Sequence, residues 1–341
     1  MSEPTVDPVT KFVIPGPWIE RTDDPDVLEK VKSGRWVLLS DGTLLRRGYT
    51  TGTTAAAACK GAVLSLASPT GATTEVNLLT PAGIRVPVPV RAEGGICTAS
   101  KVGGDHESDV TAGMVIRARA KTFGETVLVA GHGIGRINSR GLCAPLGKAA
   151  ISQSARQEIM SAIEEGLEAT GLPGARVELE VPNGEEIALR TLNPKVGVKG
   201  GISILGSTGF VEPWNEHLGK SRGDDIKNLD KVVVTTGRVG LKYSRILFPN
   251  HVAVLIGNKL DRLNLGDQQD SILCGLPALI LKWGMPEVLE GTGYRTVAEM
   301  IENQQNHPRI DTALRKVRER LPNTRIVLLR RDGSVLRDDK T

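Results

Sequence analysis

The chain has 341 residues, 40% of them hydrophobic and 24% charged, and its formal net charge is +4 at neutral pH. This length exceeds the size at which single hydrophobic cores stop growing, so the sequence predicts two domains. Basic and acidic residues are interspersed and aromatic residues make up only 3%, which argues against a nucleic-acid partner and suits a polyanionic small molecule.

The four cysteines are far apart and form no Cys-x-x-Cys pair, which favours buried free thiols over a zinc site or a disulfide framework. The N-terminus has no basic region followed by an apolar run. The longest apolar runs, residues 252–256 and 276–281, are too short to span a bilayer. We therefore expect a cytoplasmic protein with no membrane partner and no protein-bound metal.

Residues 1–45 predict an N-terminal extension that contains a hairpin. Proline and charged residues are frequent in this segment. Asp41-Gly42 separates the apolar residues 36–39 from residues 44–45, and this arrangement is a strong hairpin signal.

Residues 46–62 carry much of the functional interpretation. Gly48 and Gly52 can adopt positive φ angles, the neighbouring threonine hydroxyls can cap a helix, and four alanines follow. One interpretation is an ordinary capped helix that packs through its small residues. The other is an anion site, because a helix N-terminus presents unpaired N–H groups and Arg46 and Arg47 lie just before it.

The same combination of hydroxyl groups and glycine returns twice. It recurs in residues 199–209 and again in residues 235–238, which directly follow an apolar run. Three such turns are more than surface loops ordinarily need, and this recurrence favours a ligand-binding role.

The rest of residues 46–220 predicts an α+β domain with Gly/Thr-rich loops, because hairpins and helices are mixed. Pro87 and Pro89 alternate within one strand and predict a sheet edge, since proline cannot donate to the ladder. The expected strands are residues 75–79, 84–90, 114–120 and 126–130, and the expected helix is residues 146–168.

Residues 221–341 predict a smaller α/β, Rossmann-like domain with a mostly parallel sheet. Apolar runs alternate with helical stretches there, which is typical of a parallel sheet covered on both faces. Ligands of such sheets bind beyond the carboxyl ends of the strands, where residues 235–238 would lie. The expected strands are residues 232–234, 252–256, 276–281 and 326–329, and the expected helices are residues 288–303 and 310–321.

Residues 103–111 place three carboxylates and one imidazole beside a glycine pair. Repulsion between like charges can raise the pKa of one carboxyl group and so prepare a general base, for which Asp105 and Asp109 are the candidates. The alternative is a solvated acidic turn that caps the next strand.

Two further glycine-containing segments carry weaker signals. Residues 131–135 follow a strand, but their alternate glycines lack the third spacing of a dinucleotide fingerprint. Residues 141–148 lack the glycine spacing and the metal-binding hydroxyl of a phosphate loop, which excludes that motif.

Six segments taken together resemble the CbiD family of cobalt-precorrin-5B C1-methyltransferases, in order over residues 45–245. The resemblance implies methyl transfer from S-adenosylmethionine to ring carbon 1 of a cobalt-containing tetrapyrrole. The product would be cobalt-precorrin-6A of anaerobic cobalamin biosynthesis, and contacts with neighbouring enzymes of that pathway stay open. The segments are residues 45–55, 104–111, 131–145, 181–186, 200–211 and 235–238.

Two departures from the common family pattern place the chain in an archaeal-type branch. Many members have Gly-Asp-Asp-Pro-Asp-Val-Thr where this chain has residues 104–111, and their C-terminal Thr-His-Ser pattern is absent after Leu276. The role of the C-terminal segment therefore stays open.

The resemblance implies two ligands, and we assign the three turns to them. A precorrin has many carboxylates, which helix N-termini and cationic side chains can bind. Cobalt would arrive with the substrate. The predicted substrate-binding residues are Arg46, Arg47, Thr50, Thr51, Gly52, Thr53 and Lys199. The predicted S-adenosylmethionine-binding residues are Gly200, Gly201, Gly206, Thr208, Gly209, Thr235, Thr236, Gly237 and Arg238.

Two other functions compete with methyl transfer at this point. One is a nucleotide-dependent small-molecule transferase that uses residues 200–209 as a phosphate cradle. The other is a tetrapyrrole-binding protein without catalytic activity.

Overall fold

The computed structural model describes residues 4–67, 73–106, 108–139, 145–213, 226, 229–257, 259–263, 265 and 270–339. Its helices are α1 (Gly16–Ile19), α2 (Val27–Lys32), α3 (Thr51–Ala67), α4 (Gln153–Thr170), α5 (Gly184–Leu189), α6 (Asn193–Val196), α7 (Arg238–Leu247), α8 (Pro277–Gly284), α9 (Val297–Asn303) and α10 (Pro308–Arg320), with a short 3₁₀ helix at Leu260–Arg262. Its strands are β1 (Trp36–Leu38), β2 (Leu44–Arg46), β3 (Gly48–Tyr49), β4 (Thr73–Leu79), β5 (Arg85–Glu93), β6 (Ile96–Ser100), β7 (Val115–Thr122), β8 (Val127–Ala130), β9 (Arg136–Ile137), β10 (Ala175–Glu180), β11 (Val198–Lys199), β12 (Phe210–Val211), β13 (Lys231–Thr235), β14 (Val252–Leu255), β15 (Asp270–Gly275), β16 (Thr324–Leu329) and β17 (Val335–Asp339).

The chain folds into two compact units. The first unit comprises residues 29–37 and 45–215, and the second comprises residues 1–28, 38–44 and 216–341. The segment expected as an N-terminal extension is therefore divided between the units. Its predicted hairpin is confirmed, since β1 and β2 pair across the turn that contains Asp41-Gly42.

The first unit is built on a six-stranded sheet of order β4-β5-β6-β7-β10-β8. All neighbouring pairs are antiparallel except β10 and β8, so the expected α+β class is confirmed. Helix α3 packs against this sheet and against α4. Helix α4 begins at Gln153, later than predicted, because the Ser152 side chain caps it.

Strand β5 corrects one expectation. It lies inside the sheet, between β4 and β6, rather than at the edge. Pro87 and Pro89 face only β4, however, because β6 pairs with no residue of β5 before Arg91. At Pro87 and Pro89, the side of β5 that faces away from β4 therefore has no partner strand. Proline, which has no N–H group to donate, is tolerated on such an unpaired side, and the edge prediction rested on this requirement.

Helix α3 is buried on all sides. Every residue from Thr51 to Val63 is buried, and most of them are alanine, threonine or glycine. These small side chains let neighbouring elements come close: a methyl group built on Gly61 would lie 2.5 Å from Cys97 Sγ. A helix that is apolar or small on every face belongs in an interior, and the sheet and α4 provide it.

The second unit contains a five-stranded sheet of order β14-β13-β15-β16-β17. The first four strands are parallel and β17 is antiparallel to β16, which confirms the mostly parallel α/β class. Val232 and Val234 belong to a core that includes residues of α8, α9 and α10. Helix α7 packs against β13, β14 and β15.

The prediction of a strand at residues 276–281 was wrong. This apolar run forms most of α8, and the strand of this region is β15, which precedes it. Pro277 at the first helical position explains the difference, because proline suits that position and its fixed φ favours the helix. The helix expected at residues 288–303 is confined to α9.

Three cysteines are free and buried, as predicted. Burial raises the pKa of the Cys97 and Cys274 thiols to about 12 and that of Cys59 still further, so they are unreactive. Cys143 lies outside the described residues. Among the residues that are described, no helix combines the length and the apolar composition needed to cross a membrane.

Arg47 holds three segments of the first unit together. Its side chain is fully buried; Nη1 donates to the carbonyl oxygens of Gly34 and Trp36, both at 3.1 Å, and Nε lies 3.0 Å from Glu212 Oε2. A guanidinium group enclosed in this way cannot reach a substrate. Arg47 therefore has a structural role, and its prediction as a substrate-binding residue is corrected. A buried charge of this kind depends on its counter-charge.

We expect Glu212→Gln to lower the free energy of unfolding by about 3 kcal/mol, because it removes the carboxylate that neutralises buried Arg47. Denaturant unfolding measures this change. The matched control is Glu29→Gln, which breaks an exposed pair with Lys32 and should cost about 0.5 kcal/mol or less. Equal effects of the two substitutions would contradict the structural role of Arg47.

Candidate functional site: the start of helix α3 and the pocket beside helix α4

The first turn of α3 is capped by the chain itself. Gly52 N donates to Leu205 O and Thr50 N donates to Gly209 O, both at 3.0 Å. Thr53 N donates to Thr50 Oγ1 at 3.2 Å, and Thr51 Oγ1 accepts from Leu205 N at 2.9 Å. The N–H groups of Thr50, Gly52 and Thr53 are therefore satisfied within the protein, which leaves this helix start less able to bind an anion than the sequence predicts.

The glycines of residues 199–209 allow backbones to approach each other. A methyl group built on Gly201 would lie 2.1 Å from Gly133 O, and one on Gly206 would lie 2.3 Å from Thr50 Oγ1. Gly200 has a φ of 72° and open space around its Cα. Packing thus explains the glycines at 201 and 206, whereas Lys199, Gly200, Leu205 and Ser207 are the exposed residues of this loop.

Arg46 and Asp105 form an exposed pair. Asp105 Oδ2 accepts a hydrogen bond from Arg46 N at 2.6 Å, and the Arg46 Nη2 atom lies 3.6 Å from Asp105 Oδ1. Both side chains are exposed, so each can reach a ligand.

Asp109, in contrast, is held by contacts within the protein. It forms an ion pair with buried Lys101 and accepts hydrogen bonds from the backbone and the hydroxyl of Thr111. Burial alone would raise its pKa, but the bonds from Lys101 and Thr111 outweigh burial and hold the pKa of Asp109 below its ordinary value. A carboxylate so stabilised is a poor proton acceptor. Glu107 of the same cluster lies outside the described residues.

The first unit contains a pocket of about 290 Å³ between one face of α4 and the turn that follows β4. Residues of α4 at helical spacing form one wall, and the turn forms the other. The lining residues are Leu79, Thr80, Pro81, Ser154, Gln157, Glu158, Ser161, Ala162 and Glu165.

Glu158 is the unusual residue of this pocket. It is only 6% exposed, its Oε1 accepts a hydrogen bond from Thr53 Oγ1 at 2.7 Å, and its Oε2 has no hydrogen-bond partner among the described residues. Burial raises its pKa to about 7, against the smaller opposing effect of Thr53. A carboxyl group with a pKa near neutrality can exchange a proton or receive a cation at physiological pH.

Glu165, about two turns further along α4, behaves in the opposite way. Arg85 and Lys60 both pair with it, at 2.8 and 2.6 Å. The hydrogen bond from Arg85 and then the contacts with Lys60 lower the pKa of Glu165 to about 2 in spite of partial burial. It is therefore a neutralised anion, while Glu158 is not.

Sequence reasoning missed Glu158. The signal was present, because an acidic residue stands in the apolar stripe of α4, which includes Ala155, Ile159 and Ala162. A charged residue in such a stripe is either paired or functional. Its hydrogen-bond partner, Thr53, belongs to the Gly/Thr turn that the sequence analysis identified. The sequence does not show, however, that α4 is the helix that packs against this turn.

In the second unit, the third Gly/Thr turn lies at the carboxyl end of β13, as expected. Thr235 Oγ1 donates to Gly237 O at 2.9 Å, and Thr236 is buried. Arg238 is the first residue of α7; its side chain is exposed and makes no hydrogen bond or ion pair with the part of the chain that is described. An arginine in this position is available to a ligand carboxylate.

Clusters of three or more His, Cys, Asp or Glu side chains that could hold a metal ion are absent from the described residues.

A polar pocket with a buried carboxyl group whose pKa is raised is typical of an enzyme that acts on a small molecule. A model of the family CbiD matches residues 39–213. A cobalt-precorrin-5B C(1)-methyltransferase from Methanosarcina acetivorans is 48% identical, covering 98% of this chain and 99% of that protein. The protein of the same name from Methanococcoides burtonii is 46% identical and covers 98% of each chain.

A solved structure is also similar. The crystal structure of the cobalamin biosynthesis protein cbiD from Archaeoglobus fulgidus is 34% identical, with a TM-score of 0.56 over 95% of this chain and 99% of that one. The chain therefore belongs to the CbiD family of methyltransferases.

The raised pKa of Glu158 predicts a pH-dependent difference in stability. The folded chain holds this proton up to about pH 7, whereas the unfolded value is 4.5, so the wild type loses stability as pH rises through this interval. Glu158→Gln has no such loss. Between pH 5 and pH 8 its free energy of unfolding should gain about 2 to 3 kcal/mol relative to the wild type.

Denaturant unfolding of both proteins at the two pH values gives this difference. Glu164→Gln, on the exposed side of the same helix, is the matched control and should show no such gain. A constant difference between the Glu158→Gln variant and the wild type would mean that folding does not raise the pKa of Glu158.

Proposed function

We propose that this chain transfers the methyl group of S-adenosylmethionine to carbon 1 of cobalt-precorrin-5B, giving cobalt-precorrin-6A in anaerobic cobalamin biosynthesis. The observation that carries the proposal is the 48% identity, over 98% of the chain, with the Methanosarcina acetivorans protein of that name. The proposal places the enzyme in the cytoplasm, with the tetrapyrrole and the methyl donor as its ligands and cobalt carried by the substrate.

The reaction sets three demands on the protein. The bond between sulfur and the methyl carbon breaks as the ring carbon bonds to that methyl carbon, and the electron pair of the broken bond stays on sulfur. The product of the donor is S-adenosylhomocysteine, and the substrate releases a proton. The protein must therefore hold a cationic donor, hold a polycarboxylate ring and bring the reacting atoms within about 3 to 3.5 Å in line.

The exposed cations are the candidates for the carboxylates of the substrate. Arg46 and Lys199 keep this role in the first unit, since both are exposed, and Arg238 offers a planar fork in the second unit. Thr50, Thr51, Gly52 and Thr53 contribute indirectly, because they fix the start of α3 rather than present free donors. The loop of residues 200–209 remains the proposed place of the donor in the first unit, and residues 235–237 are the alternative in the second unit.

Asp105 is the proposed proton acceptor of the substrate. It is exposed and lies beside Arg46, a candidate for a substrate carboxylate. Asp109 is held by Lys101 and Thr111, so we propose a structural role for it.

The proposed reaction is tested with S-adenosylmethionine labelled in its methyl group and cobalt-precorrin-5B. The expected result is label in the tetrapyrrole with equimolar S-adenosylhomocysteine and no requirement for ATP. Tetrapyrrole binding without transfer would indicate a carrier. Transfer of another group that depends on ATP, without any response to S-adenosylhomocysteine, would indicate a nucleotide-dependent transferase.

We expect Asp105→Asn to lower kcat by about 10² to 10⁴, the usual size of a general-base effect, with an unchanged Tm. The comparison is Asp109→Asn, which should lower Tm because it weakens the pair with Lys101. A loss of only a few-fold in kcat for a folded Asp105→Asn variant would show that the acidic cluster is a turn without a catalytic role.

We expect Arg238→Lys to weaken the binding of one carboxylate ligand by about 1.5 to 3 kcal/mol, since lysine cannot reproduce a bidentate pair. Its Tm should stay the same, because the exposed side chain packs no core. Calorimetry with S-adenosylhomocysteine and with the tetrapyrrole, together with thermal unfolding, measures all three quantities. A lower Tm with unchanged affinities would assign Arg238 to a structural ion pair.

A further inference from the structure

The two-stranded ribbon of β9 and β11 has one buried face and one charged face. Ile137 and Val198 lie opposite each other and form a small core cluster with Ala150. Arg136 and Lys199 are also directly opposite each other, and both are exposed. Since partners in an antiparallel pair point to the same face, these two cationic side chains leave the ribbon together, with Cβ atoms about 5 Å apart.

Neither cation is neutralised by the part of the chain that the structure describes. Arg136 donates from Nη1 to Gly147 O at 3.3 Å, which leaves Nε and Nη2 without a partner among the described residues. Lys199 makes no side-chain hydrogen bond or ion pair with those residues. Like charges directly opposite each other destabilise a sheet. A ligand with a negative charge would remove this repulsion.

The surroundings of the two cations are positive as well. This part of the fold is built from residues 131–139, 145–152 and 195–205, which contain no aspartate or glutamate. The neighbouring carboxylate of Glu185 lies 4.0 Å from His132 Nδ1. A surface with charges of one sign raises the local concentration of ligands with the opposite sign. The lysines and arginines of the three segments are Arg136, Lys148, Lys195 and Lys199.

A glycine allows the two strands to pair in this register. A methyl group built on Gly135 would collide with the Val198 side chain. Packing thus explains this glycine of residues 131–135, and the close approach places the next residue, Arg136, opposite Lys199. Gly200 follows with open space around its Cα, so the chain leaves room for a ligand beside the ribbon.

A carboxylate fits the two side chains. Its two oxygens can accept hydrogen bonds from the guanidinium fork of Arg136 and from the ammonium group of Lys199, and both bonds would be charge-assisted. The proposed substrate has many carboxylates around its ring, whereas the proposed donor has one carboxylate next to an ammonium group. A surface that is positive throughout repels that ammonium group and therefore favours the ring.

The position of the ribbon suits the proposed reaction. Lys199 directly precedes the loop of residues 200–209, which is the proposed place of the donor. A ring carboxylate held by Lys199 would therefore keep the tetrapyrrole beside that loop. Methyl transfer requires such proximity, because the reacting atoms must come within about 3 to 3.5 Å.

We infer that Arg136 and Lys199 together bind a carboxylate of the tetrapyrrole. The inference rests on the proposed function. It adds Arg136 to the substrate-binding residues and gives Lys199 a defined partner. The two cations lie opposite each other without a counter-charge among the described residues, and the carboxylate supplies that charge.

Calorimetry on Arg136→Gln and Lys199→Gln with cobalt-precorrin-5B and with S-adenosylhomocysteine tests the inference. Each variant should bind the tetrapyrrole about 10-fold more weakly, the effect of losing one hydrogen bond to a charged group. This affinity should also depend less on salt concentration than that of the wild type. Affinity for S-adenosylhomocysteine should be unchanged. The Tm should not fall, because each substitution removes a repulsion.

The matched control is Arg176→Gln. Arg176 is exposed and lies directly opposite Lys121 in the six-stranded sheet, so this substitution removes an equivalent contact between like charges. Glu178 lies two residues further along the same strand and therefore on the same face, so the surroundings of this pair are not positive throughout. The control should bind both ligands like the wild type.

Each other outcome overturns the inference. Unchanged affinity of both variants for the tetrapyrrole, in a protein whose wild type transfers methyl groups, would make the pair a solvated surface and leave the proposed function intact. Weaker binding of S-adenosylhomocysteine alone would assign the pair to the carboxylate of the donor. An equal loss in the Arg176→Gln control would mean that net charge, and not this site, sets the affinity. A wild type that neither binds the tetrapyrrole nor transfers methyl groups would contradict the proposed function and the inference together.

Discussion

The first unit depends on the close approach of α3 to α4 and to the loop of residues 203–209. Small residues along the whole of α3 make this approach sterically possible, and the carbonyl oxygens of Leu205 and Gly209 cap the first turn. The same approach brings Thr53 to Glu158 and leaves one carboxylate oxygen buried without a donor. Packing that stabilises the unit thus also creates its chemically unusual group.

This arrangement changes the meaning of the Gly/Thr turns. A glycine-rich helix start is often an open anion site, since its N–H groups are free. Here the glycines of one turn let it lie against the threonines of another, so that the two turns satisfy each other. The functional consequence is indirect: the turns form a rigid support for a pocket whose charge comes from α4.

Much of the architecture could be predicted because it follows from local patterns. The Asp41-Gly42 hairpin, the α+β class of the first unit and the parallel sheet of the second all follow from turn residues and hydrophobic periodicity. Local patterns do not show which residues far apart in the chain come into contact in the fold. The burial of Arg47 against Glu212 and the position of Glu158 opposite Thr53 both join residues more than 100 positions apart. The apolar run of α8 was misjudged because a short buried helix and a buried strand have the same composition.

The central claim is that the chain binds S-adenosylmethionine as its methyl donor in the first unit, beside the loop of residues 200–209. A crystal structure of the chain with S-adenosylhomocysteine tests this claim most directly. The account predicts ligand density beside the loop of residues 200–209. Density for the ligand at the carboxyl end of β13, with the loop of residues 200–209 free of ligand, would contradict it.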